Sequence, residues 1–327
     1  MTVRAEREVR CMGGRHRLLA EGPDAEEAVR ETEALLHAID RCLTRFDAAS
    51  ELSALNADPR PVVPASPMLR RAVAAALAAG EATCGLVDVT LLPALEAASY
   101  ATSRADVAPA SLRVALTVAP PRRPARPDPR ARWRTIGVDD AAGTIRRPPG
   151  LRLDLGGVGK GLAADLAADH LASAGMTRFA VDCGGDVHVG GPDVAAHPWD
   201  VDVQHPLTHQ VALSFALGGG AVATSGLDAR VWRRDDGSYA HHLLDPSTAT
   251  PAWTGLIGAT ALAPTTTRAE TLAKAALLEG AEGARRRLAR HGGLVVHDDG
   301  RVEPVGVLDR APLAIPVSAL AAFRRVA

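Results

Sequence analysis

The sequence predicts an α+β fold, and three observations predict it. Period-two apolar runs bounded by glycine, proline and aspartate crowd the second half of the chain. Stretches with apolar residues at helical spacing bracket those runs instead of alternating with them, which separates α+β from a doubly wound sheet. The 327 residues are 47% hydrophobic and 23% charged, enough to bury a large core, with no internal repeat. We read 1–327 as a single domain.

The elements follow in order. Residues 24–46 repeat apolar positions at helical spacing with acids early, and Asp24 is a plausible N-cap. Ser66 to Gly85 reads as a second helix, capped by Ser66 and stopped by glycine. A third is expected over Ala110 to Leu116. The segment 119–132, APPRRPARPDPRAR, is too rich in proline for regular structure and reads as a flexible surface loop, not a nucleic-acid arm. IGVDDAAGTIRRPPGLRLDLGG reads as a hairpin entering a glycine-rich turn, and Ala163 to Ala174 as a helix. FAVDCGGDVHVGG, HPWDVDVQHP, HQVALSFALGGGAVATSG and YAHHLLDP read as successive strands and turns. Arg268 to Gly280 and Ala281 to His291 read as helices, and GGLVVHDDGRVEPVG as a hairpin.

Charge and cysteine usage exclude several classes. A net charge of −1 gives no global basic field for nucleic acid or an anionic membrane. No run reaches 18 uninterrupted apolar residues, so no membrane span is expected. The start MTVRAEREVR has no apolar core of a signal peptide, and Cys11 follows no such core. A soluble cytoplasmic protein is therefore expected. Cys11, Cys42, Cys84 and Cys183 form no CxxC pair, so reduced thiols are expected in place of a zinc site.

The segment Leu153 to Gly161, LDLGGVGKG, carries the strongest local signal. A strand-like run ends at Asp154, glycines follow, and a helical pattern begins. Backbone amides beside glycines can approach a ligand closely, a helix N-terminus favours an anion, and Lys160 adds a charge suited to phosphate. The spacing fits neither a P-loop nor a Rossmann turn. On pattern alone it reads equally as a tight turn with a solvated lysine. AHHLLDP, read as one strand, puts His242 and Leu244 on one face and His241, Leu243 and Asp245 on the other, so one histidine can face a site. VDCGGDVHVGG sets Asp182, Gly184, Gly185 and Asp186 at a strand-end turn. Glu270 and Lys274 stand at i, i+4 on a helix, which by spacing alone reads as a surface ion pair.

Eight blocks taken together, in order, resemble the FAD:protein FMN transferase (ApbE) family over nearly the whole chain. These are CMGG, TRFDAASELSALN, CGLVDVTLLPAL, DLGGVGKGLAAD, VDCGGDVHVGG, ATSGLDARVW, AHHLLDPSTATP and RAETLAKAALLEG. The most specific is DLGGVGKGLAAD, similar to the family's DLGGIAKGYAVD.

The resemblance implies a T-fold-like arrangement of mixed sheets flanked by helices. It implies transfer of FMN from FAD to a threonine hydroxyl of an acceptor protein, with release of AMP and a Mg²⁺ at the pyrophosphate. It assigns FAD contacts to Met12, Phe46, Leu86, Val87, Asp88, Asp154 and Lys160. It makes His242 the base for the threonine proton, with Asp245 as its structural or orienting partner. It assigns the metal to the carbonyl of Gly157 and to Glu270, but puts Lys274 where the family has a threonine ligand. A charged lysine donates and cannot ligate a cation. Glycine, phenylalanine and alanine also stand at Gly14, Phe46 and Ala249 where the family has threonine, tyrosine and glycine. The alternatives are an FAD-binding relative with little or no transferase activity, or an FAD pyrophosphatase yielding FMN and AMP.

Overall fold

The computed structural model describes residues 3–309. Its frame is one sheet of eight strands, numbered here in chain order. They are β1 (Val3–Cys11), β2 (Gly14–Gly22), β3 (Arg178–Cys183), β4 (Val187–Gly190), β5 (Gly220–Gly226), β6 (Leu256–Ala263), β7 (Gly293–His297) and β8 (Val302–Val305). Each strand pairs with the next in this numbering, and every ladder is antiparallel. The sheet is a meander whose connections have grown into the rest of the protein. The α+β expectation holds, because helices lie in the connections and do not join parallel strands.

The longest connection, between β2 and β3, carries α1 (Ala25–Leu43), α2 (Glu51–Ala57), α3 (Pro67–Ala82), α4 (Leu92–Ala97), α5 (Leu112–Val118) and α6 (Gly159–Ser173). A small antiparallel sheet of Val62–Pro64, Thr144–Arg146 and Gly137–Asp139 sits among them. The longest helix among the described residues, α7 (Thr266–Leu288), links β6 to β7. Alternation along β2 divides the core between the two faces. Leu18 packs with α1 and the alanines of α6, while Leu19 packs with Trp199, Val201 and Phe215 of the hairpin Trp199–Gln204/Val211–Leu217. Burying such a leucine stabilises the fold by roughly 2 kcal/mol.

Several local expectations are corrected. Ser66 caps α3 through Leu69 N, as read, but Asp24 sits at the start of α1 at φ 51 and makes no side-chain cap bond. The third helix runs Leu112–Val118 with Ser111 as cap. The run before the glycine turn is not a strand. Leu151, Leu153 and Leu155 are buried, and its polar groups bond to Asn56 and to Val89 O. The next helix begins at Gly159, four residues before the expected Ala163. The boundary expected at Gly280 is real: its φ of 70 and ψ of −179 break α7 internally.

The 119–132 segment has no regular structure through its prolines, yet it is not a loose loop. Arg123 N donates to Trp253 O, Ala125 N to Leu278 O and Arg126 N to Asp245 Oδ1, and Ala125 and Asp128 are buried. Proline fixes φ without needing a ladder, so the strand-free stretch is held by its remaining amides. Among the described residues no helix is long and apolar enough to cross a membrane, and all four cysteines are free thiols.

Candidate active site

A cavity of about 830 Å³ opens between the sheet end, α6, α7 and the loops of the β2–β3 connection. Met12, Phe46, Leu86, Val87, Asp88, Asp154, Gly157, Lys160, His242, Glu270 and Lys274 all line it. Asp245 does not. Residues spread from the first hairpin to α7 thus converge on one concavity large enough for a dinucleotide.

Each wall has a local cause. Met12 and Gly13 form the two-residue turn between β1 and β2, with φ 46 and 71, the positive pair a tight hairpin requires. That turn tips Met12 into the cavity. The chain at Leu86–Asp88 is set by Thr83, whose Oγ1 accepts from Val87 N at 3.0 Å. Asp88 is buried, and its Oδ1 accepts from the Thr90 amide and hydroxyl at 2.8 and 2.7 Å. Its Oδ2 is buried with no partner, and burial raises its pKa.

Asp154 is committed within the protein. Its Oδ2 pairs with Arg45 Nε at 2.6 Å, and its Oδ1 accepts from Gly156 N at 3.0 Å. The Arg45 guanidinium lies over the rings of Phe46 and Tyr100, with its carbon 4.2 and 4.7 Å from their centroids. This buried cation stacked on two rings joins the aromatic wall to the glycine turn. None of Gly156, Gly157, Gly159 or Gly161 has a positive φ. The glycine that packing demands is Gly161, where a Cβ would lie 2.8 Å from the Thr267 backbone.

That close approach docks α6 on α7. Asp165 of α6 accepts from Thr266 N at 2.6 Å and Thr267 N at 2.9 Å, capping the first turn of α7. The docked helix then carries Glu270 and Lys274 inward. Their pairing is not on the surface: the side chains are only 3% and 13% exposed.

Lys274 Nζ donates to Gly157 O at 3.0 Å and to Glu270 Oε1 at 3.3 Å. Glu270 Oε2 accepts from Gly161 N at 2.9 Å. Burial pushes Glu270 up, as does Asp186, while Lys274 and Lys160 pull it down. Lys160 ion-pairs with fully buried Asp186 at 2.5 Å. Burial opposes the Lys160 charge, but Asp186 and Glu270 outweigh it and hold its pKa above the ordinary value.

His242 is half-buried in the same wall, and its Nδ1 is buried without a hydrogen-bond partner. Burial drives its pKa well below the ordinary value, and His241, Lys274 and Arg230 push it further down. The neutral imidazole can accept a proton. His241 turns away, fully buried and edge-on to Trp253 at 4.7 Å. The two histidines therefore part as expected, but not along one strand. The extended chain breaks between Tyr239–His241 and Leu244–Asp245, with Leu243 N bonded to His241 Nδ1.

Asp245 lies outside the cavity that His242 lines. Its Oδ1 accepts from Arg126 N, Ser247 N and Ser247 Oγ at 3.1, 3.0 and 2.8 Å, so it caps a turn and anchors the proline-rich segment.

Mg²⁺ does not fit this donor set. Both oxygens assigned to the metal, Gly157 O and Glu270 Oε1, bond the Lys274 ammonium, and the other Glu270 oxygen is taken by an amide. A magnesium ion needs near-octahedral oxygen donors. Among the described residues, no group of three or more His, Cys, Asp or Glu side chains could hold a metal.

Arg45 and Arg230 line the cavity without having been singled out in the sequence, whereas Asp186, singled out at its turn, acts through Lys160. Arg230 lines the cavity and donates to Gly13 O at 2.9 Å. Both arginines lie inside resembling blocks, which is the signal that could have found them.

Comparison with known proteins bears on the family and the fold. The ApbE family profile matches residues 8–296. The FAD:protein FMN transferase of Klebsiella pneumoniae is 29% identical, covering 83% of this chain and 76% of that protein. That of Salmonella typhimurium is 27% identical, covering 87% and 81%. The ApbE protein structure from Thermotoga maritima superposes with a TM-score of 0.77 at 24% identity, covering 94% of this chain and 100% of that one. The flavinyl transferase ApbE structure from Pseudomonas stutzeri, in its apo form, gives 0.74 at 24% identity, covering 94% and 96%. With the profile spanning most of the residues that build the cavity, the chain belongs to the ApbE family.

Proposed function

We propose that the chain is an FAD:protein FMN transferase, moving FMN from FAD to a threonine hydroxyl of an acceptor protein. One observation carries this reading: His242, whose Nδ1 is buried without a hydrogen-bond partner, shares a cavity with Lys160 and Lys274. A base and fixed positive charge are what phosphoryl transfer requires.

In this reading FAD lies along the cavity with its pyrophosphate at Lys160 and Lys274. Met12, Phe46, Leu86, Val87 and Asp88 contact its flavin and adenosine ends. Asp154 acts through Arg45, which it orients beneath the aromatic wall. His242 takes the proton of the threonine hydroxyl. The hydroxyl oxygen bonds to the flavin-side phosphorus, the bond from that phosphorus to the bridging oxygen breaks, and AMP leaves with the electron pair. The imidazolium then returns its proton to solvent.

The test is incubation with FAD and a threonine-bearing acceptor domain, followed by in-gel flavin fluorescence. A fluorescent acceptor band is expected. No labelled band, with or without Mg²⁺, sinks the reading. Release of FMN and AMP without labelling assigns an FAD pyrophosphatase instead.

A further inference from the structure

We propose that Lys274 is a built-in replacement for a divalent cation, so that this site binds FAD without metal. The proposal rests on the FAD reading above. The Lys274 ammonium sits 3.0 Å from Gly157 O and 3.3 Å from Glu270 Oε1. It thus bridges a main-chain carbonyl of the glycine turn and a carboxylate of α7, as an oxygen-seeking cation would. The side chain is only 13% exposed and lines the cavity.

An ammonium has three N–H donors in a tetrahedral spread. Two are directed at these oxygens, leaving the third for a ligand oxygen in the cavity. Because Lys274 is covalently held on α7, the charge is present before the ligand arrives.

The charge balance differs from that of a metal site. Lys274 and Glu270 sum to zero, whereas a magnesium ion in place of the ammonium would leave one extra positive charge. The lysine site therefore neutralises a pyrophosphate less completely. An added dication would have to displace the ammonium from both of its oxygens, Gly157 O and Glu270 Oε1.

The experiment has two independent readouts. The first is Mn²⁺ binding to the flavin-free protein, followed by electron paramagnetic resonance. The wild type is expected to take up no tightly bound Mn²⁺, and Lys274→Thr to take up one ion. Mn²⁺ bound as tightly by the wild type as by the variant overturns the proposal.

The second readout is FAD titration by flavin fluorescence in EDTA and in Mg²⁺. Wild-type affinity is expected to agree within about twofold between the two. Lys274→Thr is expected to bind roughly tenfold more tightly with Mg²⁺ than in EDTA, about 1.4 kcal/mol. Lys274→Met is expected to lose a similar factor without rescue by Mg²⁺. A tenfold or larger loss of wild-type affinity in EDTA overturns the proposal without any variant. Failure of the wild type to bind FAD in either condition sinks the flavin reading, while the Mn²⁺ comparison still decides the role of Lys274.

Discussion

The amide of Gly161 in α6 donates to Glu270 Oε2 in α7 at 2.9 Å, so one hydrogen bond ties the glycine turn to the buried ion pair. The bond exists because residue 161 has no side chain. A Cβ there would lie 2.8 Å from Thr267 Cα and N and 2.9 Å from the same carboxylate oxygen. Gly161→Ala should push the two helices apart. The expected cost is about 1–3 kcal/mol of stability, read as a lower urea midpoint, with weaker FAD binding. An unchanged midpoint and affinity would show that the helix contact has slack.

His242→Ala should retain FAD affinity and lose transfer by about 10²–10⁴-fold, the usual worth of a positioned base. The pH dependence carries a sign. Because burial depresses the His242 pKa well below 6.5, the neutral base persists as pH falls through the ordinary histidine range. Transfer rates measured between about pH 8 and 6 should therefore show no acid limb from this residue. A limb centred near 6.5 that disappears in the variant would contradict the burial argument.

The sequence was most legible where chemistry and local structure coincide. Lys160, Asp88 and His242 reach the cavity from short, motif-like stretches whose turns are fixed by neighbours in the chain. It was least legible where distant packing decides. The spacing of Glu270 and Lys274 describes a surface pair equally well, and only the docking of α7 on α6 through Asp165 buries it. The glycines of the turn read as letting backbone amides approach a ligand, but φ is unremarkable there and the steric demand falls on Gly161. Asp245 stands as a partner for His242 by the family resemblance alone; period-two alternation already puts the two on opposite faces, and the strand breaks after His241. Arg45 lies inside a resembling block, but nothing local shows its pairing, since its partner Asp154 lies far along the chain.

Asp154→Asn tests that distant pair. The Arg45 side chain is 6% exposed, so removing the opposing charge leaves a buried guanidinium over two aromatic rings, with Tyr100 O at 2.7 Å as its remaining acceptor. Breaking a buried pair from one side costs about 3 kcal/mol. The loss should appear as a lower unfolding midpoint, and FAD affinity should fall because the aromatic wall loses its anchor. A variant with wild-type stability and reduced affinity would instead make Asp154 a direct ligand contact.

Ala249 offers a stabilising change. Its φ of 58 lies in the left-handed region, in the turn where Ala249 N donates to Asp245 O at 2.8 Å. A side chain there clashes with its own carbonyl, and glycine does not. Ala249→Gly should raise stability by about 0.5–1 kcal/mol after the added unfolded-state entropy is counted. Calorimetry should show a higher melting temperature; a fall would mean that the entropy term dominates.

His241 predicts how the fold responds to acid. It is fully buried against Trp253, its Nε2 has no hydrogen-bond partner, and burial lowers its pKa from 6.5 to about 3. Above pH 6.5 the residue is neutral in both the folded and the unfolded chain and contributes no pH dependence. As pH falls below that value the unfolded chain takes up a proton that the folded one refuses. Stability then drops by about 1.4 kcal/mol per pH unit from this histidine, until the folded form also protonates. His242 adds to the slope in the same direction. Urea midpoints measured from about pH 7 to 4 should therefore decline steeply, and His241→Gln should flatten the decline by about one proton's worth. The substitution leaves the cavity lining untouched, so FAD affinity at neutral pH should remain near that of the wild type. An unaltered slope in His241→Gln would mean that the imidazole is already solvated, and that the acid sensitivity arises elsewhere.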